Sequence, residues 1–256
     1  MLILLPPSET KATGGDNPPL DFAQLSFPTL TATRQTLATD LSRVPVADAL
    51  NLLGISEKLA GEAQANTELF SQATLPAILR YTGVLYEALD AASLSAAERS
   101  HLAIGSALFG VVGANDLIPR YRLSAGNKIP TSDGELPTLK KRWGKSITNV
   151  LVALQEEGEF LLDLRSGGYQ QLGPVPTAPT LRVESLQADG TRKLISHNNK
   201  LYKGRITRSL VQSGADPKDM GELAGAIEDL GYTVELPTDG AKKAYELTLV
   251  ISSEQL

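Results

Sequence analysis

The chain has 256 residues, of which 42% are apolar and 21% charged, enough apolar material for a substantial core. It contains no cysteine and two histidines, His101 and His197, which excludes disulfides, thiolate chemistry, iron–sulfur ligation and a histidine-rich metal site. Net charge is −5, an overall balance that repels phosphates.

Residues 2–5 are an apolar run stopped by Pro6-Pro7 and read as a central strand. The run lacks a basic flank and is too short for a signal peptide, and no stretch approaches the roughly 20 apolar residues of a spanning helix. A cytoplasmic protein without a membrane partner is expected. Residues 8–19 are rich in Gly, Pro, Ser and Thr and read as a loop. Its Ser8-Glu9-Thr10-Lys11 follows a strand, where α/β folds place ligands, but it lacks the glycines of a phosphate cradle.

A helix is expected over 31–41, and two helical patterns over 46–70 break near Gly54. This second stretch has the form of a helix–hairpin–helix. Gly54 gives the turn its backbone freedom, Ser56 is placed to cap the second helix, and Lys58 is placed to reach a phosphate. Ser56 stands where such hairpins usually carry a second glycine, and an ordinary helical corner fits the same residues. Residues 77–90 have an apolar face around 81–85, compatible with strand or helix. Ser95-Ala96-Ala97-Glu98 is a capping box that opens a helix.

The apolar run 102–112 closes into a turn at 113–116. Next come Asp116, Arg120, Tyr121 and Arg122. This combination suits a phosphate with a ring stacked on a base, or an Arg–Asp ion pair holding a loop, the better reading for Asp116. A helix is expected over 139–154 and a strand over 160–164, bounded by Ser166-Gly167-Gly168. A Pro-rich turn covers 174–179, and strands are expected over 181–186 and 193–196. A helix follows at 203–211, another at 220–230 ended by Gly231, and closing strands at 232–236 and 245–251.

Charge is segregated along the chain. Residues 120–149 hold seven Lys/Arg and two acids, and residues 190–208 hold six Lys/Arg and no acid. Lys200, Lys203, Arg205 and Arg208 on a helix would show a basic face, with Gly204 allowing close backbone approach. The alternatives are a basic cleft on an acidic body and two solvated faces. His197, beside Asn198 and Asn199, is a possible general acid or base or a hydrogen-bonded surface residue. No P-loop or dinucleotide fingerprint occurs, and adjacent carboxylates such as Glu156-Glu157 point different ways on a helix, so no cofactor and no metal site are expected.

The elements alternate without strict βαβ spacing, repeat or linker. A single mixed α/β (α+β) domain over 1–256 with a central mixed sheet is expected. Residues 1–11 (MLILLPPSETK), 54–60 (GISEKLA), 80–89 (RYTGVLYEAL), 108–123 (LFGVVGANDLIPRYRL), 143–151 (WGKSITNVL), 160–169 (FLLDLRSGGY), 193–208 (KLISHNNKLYKGRITR) and 231–234 (GYTV) together resemble the YaaA-type peroxide stress family. Matching positions are Pro7, Thr10, Gly110, Asp116, Tyr121, Arg122, Trp143, Gly144, Asn149, Ser166, Tyr169, Lys200, Gly204 and Arg208. Lys203 replaces a usual arginine, Asn198-Asn199 an aromatic–alanine pair, and Glu9 a frequent lysine whose charge Lys11 can supply. The resemblance implies a compact α/β fold, a positively charged cleft, a DNA-binding helix–hairpin–helix, and a part in surviving peroxide by limiting unincorporated iron.

Two functions follow as expectations. One is sequence-independent DNA binding through Gly54, Ser56 and Lys58 at the hairpin and Arg120, Arg122, Lys200, Lys203, Arg205 and Arg208 in a cleft. The other is an enzyme acting on a nucleotide or phosphorylated small molecule, with Ser8, Thr10, Lys11, Asp116, Tyr121, Ser166 and Tyr169 in one pocket. Both require Lys11, Arg122, Lys200 and Arg208 to gather around a shared hollow.

Overall fold

The computed structural model describes residues 1–187, 189–194 and 199–252. Strand β1 (Leu2–Leu5) is followed by helices α1 (Thr31–Ser42), α2 (Val46–Leu53) and α3 (Ala60–Thr67). Next come β2 (Leu75–Pro76), α4 (Ala77–Arg80), α5 (Val84–Leu89), α6 (Ala96–Ser100), β3 (Leu102–Ser106), β4 (Gly110–Gly113) and β5 (Leu117–Ile118). The chain continues through α7 (Leu139–Trp143), α8 (Ser146–Glu156), β6 (Leu161–Asp163), α9 (Gly167–Gln170), β7 (Thr180–Leu186) and β8 (Arg192–Leu194). It closes with α10 (Asn199–Ser213), α11 (Met220–Asp229), β9 (Thr233–Glu235) and β10 (Glu246–Ile251).

The main sheet runs β4-β3-β1-β6-β7-β10-β9, with β8 paired to β7. Five central strands are parallel, and β4, β8 and β9 pair antiparallel at its margins. β2 and β5 form a separate antiparallel pair. The protein is therefore an α/β fold with a mixed sheet. Every residue of β3 and β6 is buried, so both faces of the sheet centre are covered, as a parallel sheet requires. One hydrophobic core extends from Met1 to Ile251.

Most local expectations hold. Gly54 ends α2 at φ +65°, where a side chain would be strained, and the Ser95–Glu98 capping box forms at α6. Residues 77–90 take the helical option, as α4 and α5. The helix expected over 139–154 is two helices. Gly144, at φ +54° and ψ −119°, breaks it between α7 and α8. The strand expected over 193–196 is β8 at 192–194, and its remainder lies outside the described residues.

Helix α10 is longer than expected and crosses α5 at Gly204. A Cβ there would lie 2.3 Å from the Leu85 carbonyl oxygen and 2.8 Å from Ala88 Cβ. The glycine thus serves helix packing, where the sequence suggested approach to a phosphate. Gly204→Ala would gain up to about 1 kcal/mol in helix propensity. Overpacking against a backbone atom that cannot rotate away costs about 1–3 kcal/mol, so a net loss is expected. Urea denaturation should show a lower midpoint with unchanged slope. An unchanged midpoint would contradict the tight crossing.

Candidate functional site

The parallel strands send the loops after β1 and β6 to the same edge of the sheet. β1 is flanked by β3, reached by the chain first, and by β6, reached later, so connections diverge at the β1–β6 pair. Such a switch point opens a crevice at the strands' carboxyl ends. β6 ends at Asp163, which pairs with Thr180, the first residue of β7. β7 and β10 run on past it and wall a cleft of about 910 Å³. The other walls are loop 6–9, loop 124–126, the segment 164–170 that includes α9, and the first turn of α10.

Among the described residues, five cations and three carboxylates line this cleft. Arg165 and Asp163 form a buried bidentate pair, with Nε to Oδ1 at 2.9 Å and Nη2 to Oδ2 at 2.8 Å. A further Arg165 bond to the Gly173 carbonyl at 2.9 Å fixes this floor. Lys243 pairs with Glu246 at 2.5 Å, and Arg182 pairs with Glu184. Glu9 is held by Arg122 at 2.6 Å. Lys203 has no carboxylate in contact among the described residues and donates to the Leu164 carbonyl at 3.2 Å. Burial lowers its pKa, against the opposing pull of Asp163 and Glu246. Lys200 is exposed and has no charged partner among the described residues. Three residues apart, Lys200 and Lys203 share one helix face and meet the cleft together.

Beneath loop 6–9 lies a buried polar cluster. Lys11 Nζ donates to the carbonyls of Ser8 at 3.0 Å and Glu9 at 3.4 Å and sits 4.3 Å from the Tyr121 ring centre. Tyr121 shares hydrogen bonds with Tyr81 at 2.7 Å and Ser106 at 2.8 Å. Tyr86 donates to the Pro6 carbonyl at 2.8 Å. Desolvation, helped by the Arg122 charge, brings the Lys11 pKa down to about 7. Tyr169, in the cleft wall, is pushed up to about 12 by burial.

Helices α2 and α3 are joined through Gly54 and a short turn at Glu57–Leu59. Asn127 Nδ2 donates to the carbonyls of Leu52 and Leu53, both at 3.3 Å, and its Oδ1 accepts from Ser124 N at 2.7 Å. The end of α2 is thereby tied to a loop of the cleft wall. Gly54, Ser56 and Lys58 are exposed in this connection, Ser56 makes no side-chain capping bond where a cap was expected, and Glu57 sits next to Lys58.

The residues expected to gather do so in part. Lys200, Lys203, Ser166 and Tyr169 line the cleft, with Arg122 reaching its wall through Glu9 and Lys11 behind it. Ser8 and Thr10 join Lys200 around an adjoining hollow of about 300 Å³. Arg208 is engaged elsewhere, donating to the Leu89 carbonyl and Ser93 Oγ at the end of α5, so it caps that helix. Arg205 points outward, 5.9 Å from the Tyr202 ring centre. Arg120 pairs with Glu62. Tyr121 is 1% exposed, so it cannot stack on a base. Asp116 holds a loop, as expected, but through Ser26 and the Gly113 amide instead of an arginine. His197 and Asn198 lie outside the described residues.

The Asp163–Arg165 pair was not singled out from sequence. Its one signal was an acid and a base two apart at the end of an apolar run, hence on one side of an extended chain. Arg182, Lys243 and Glu246 carried no signal.

A family model described as peroxide stress protein YaaA matches residues 1–236. A UPF0246 protein of Corynebacterium efficiens is 55% identical, covering 98% of this chain and 100% of its own. One from Streptomyces coelicolor is 44% identical over 92% of each chain. One from Shewanella denitrificans is 30% identical over 87% of this chain and 89% of its own.

Lys11 should leave a signature in stability. The unfolded chain keeps this proton to near its ordinary 10.5, while the folded protein releases it near 7. Between those values the unfolded state binds more protons, so the Lys11 contribution rises with pH, by at most about 1.4 kcal/mol per unit. Urea denaturation of the protein and of Lys11→Met at pH 6.5 and pH 9 should therefore give a stability difference that shifts in favour of the lysine at the higher pH. A difference independent of pH would refute the burial of this amine.

Proposed function

Because the chain belongs to the peroxide stress protein YaaA family, we propose that it serves the peroxide-stress response by binding DNA across the cleft and the α2–α3 hairpin, limiting iron-dependent damage. The observation that carries this reading is the physical junction of the two parts. Asn127 ties the end of α2 to the loop that walls the cleft, which supports a ligand that engages Lys200 and Lys203 on α10 and reaches on toward Lys58.

The charge balance fits a backbone reader. Among the described residues the cleft holds five cations to three carboxylates, on a molecule of net charge −5. Paired cations such as Arg165 and Lys243 shape the walls, leaving Lys200 for phosphate. Gly54 leaves the tip free of a side chain, and nothing lies within 4 Å of where its Cβ would be. Contacts of this kind position a phosphate backbone and carry little sequence information.

A second reading is a nucleotide or phosphorylated small molecule bound in the same cleft. It is favoured by the shared presence of loop 6–9 and Lys200 at the carboxyl edge of β1 and β6, where open α/β sheets bind such ligands. In this reading Ser166 and Tyr169 orient the ligand.

Fluorescence anisotropy with labelled duplex and single-stranded DNA tests the first reading. Affinity should fall steeply with salt, with a log–log slope of about −0.9 per duplex phosphate contacted. Lys200→Glu and Lys58→Glu should each weaken binding to all sequences alike and flatten that slope by about one contact. Absence of binding at low salt and micromolar protein would defeat the DNA reading. Thermal stabilisation by nucleotides alone would then favour the second.

A further inference from the structure

We infer that the small hollow beside loop 6–9 is a subsite for a terminal phosphate, the phosphomonoester end of a nucleotide or strand lying in the main cleft. The inference rests on the reading of that cleft as a nucleic-acid or nucleotide site and specifies which part of the ligand it selects.

Position comes first. The hollow, about 300 Å³, shares Pro6, Pro7, Glu9 and Lys200 with the main cleft, so one ligand can span both past the Lys200 side chain. Its volume is at the lower end for ligand sites, suited to a compact group.

The donors come second. Ser8 Oγ and Thr10 Oγ1 lie 3.1 Å apart on its wall. Gly83, at φ +99°, faces both. A Cβ there would sit 3.5 Å from each hydroxyl, so the missing side chain keeps that space open. Hydroxyls rotate to donate to whatever acceptor is present. Lys200 supplies the charge and has no carboxylate to neutralise it among the described residues. The one carboxylate in the wall among the described residues, Glu9, is engaged by Arg122 at 2.6 Å and by Ser124 at 3.5 Å. Behind the wall, Lys11 donates to the Ser8 carbonyl and holds the loop in place.

Charge decides which phosphate. A monoester carries about −1.5 to −2 at neutral pH, against a single charge for a backbone diester, and offers three acceptor oxygens. Two hydroxyl donors and an ammonium match those three acceptors through charge-assisted hydrogen bonds.

The experiment compares ligands with and without the terminal phosphate. Single-stranded oligonucleotides bearing a 5′-phosphate or a 5′-hydroxyl are titrated by anisotropy. Adenosine 5′-monophosphate and adenosine are compared by thermal shift. Both assays use the wild-type chain and a Ser8→Ala/Thr10→Ala variant. Among the described residues the two hydroxyls, near the surface, bond to each other and, for Thr10, to the Thr82 carbonyl, so the variant keeps the fold.

The expected result is about tenfold tighter binding of the phosphorylated ligand in at least one assay, lost in the variant. Equal behaviour of phosphorylated and unphosphorylated ligands in both assays overturns the subsite, even if oligonucleotides bind. A phosphate preference that survives in the variant also overturns it. If neither oligonucleotide binds but the monophosphate is preferred through Ser8 and Thr10, the subsite stands and the DNA reading fails.

Discussion

The site exists because two parallel neighbours, β1 and β6, deliver their following loops to one edge of the sheet while β6 stops short. Asp163 meets Thr180 at the start of β7, and beyond that point the sheet continues without β6. The missing length of strand becomes a hollow, floored by a buried ion pair. Arg165 returns to Asp163 and to the Gly173 carbonyl, which satisfies a charge that would otherwise be costly to bury. Gly105 makes room for it. A Cβ there would lie 2.8 Å from Arg165 Cδ. Loop 6–9, on the opposite wall, is braced by the Lys11 ammonium and the Tyr86 hydroxyl.

Buried cations recur as braces. Arg34 donates to the Phe109 and Val111 carbonyls. Arg80 reaches the Ala12, Gly14 and Ile118 carbonyls. Burial brings the pKa of each down to about 10, too little to neutralise it near pH 7. These long side chains let a loop-rich chain satisfy carbonyls that secondary structure leaves free. The consequence for function is a division of labour. Most arginines near the site hold backbone or carboxylates, and the cations left for a ligand are lysines, chiefly Lys200. Lysine suits a phosphate treated as a point charge and lacks the bidentate geometry that reads base edges.

Hydrophobic periodicity and turn chemistry made most of the fold legible. The apolar runs at β1, β3 and β6, the break at Gly54 and the capping box at Ser95 all depend on neighbours within a few residues, and all hold. The division of α7 from α8 was less visible, because a glycine inside an apolar helical pattern has several outcomes and only its backbone angles distinguish them. In the candidate site, Lys200 and Lys203 were legible as an acid-free basic stretch. Arg208 belonged to the same stretch, but five residues beyond Lys203 it turns to another side of the helix and meets the end of α5. Charge density along a sequence therefore overstated the charge in the cleft.

By itself the sequence determined the type of most elements, the absence of thiol chemistry and the family, because these follow from residue identity and short-range spacing. Only tertiary structure decided which polar residues face the cleft. Tyr121 and Asp116 match the family pattern as well as Ser166 and Tyr169 do, yet the first two are buried as core ties and the second two line the main cleft. The physical reason is that orientation toward a shared space depends on strand order, on where β6 ends and on how closely α10 meets α5, quantities fixed by contacts between residues far apart in the chain.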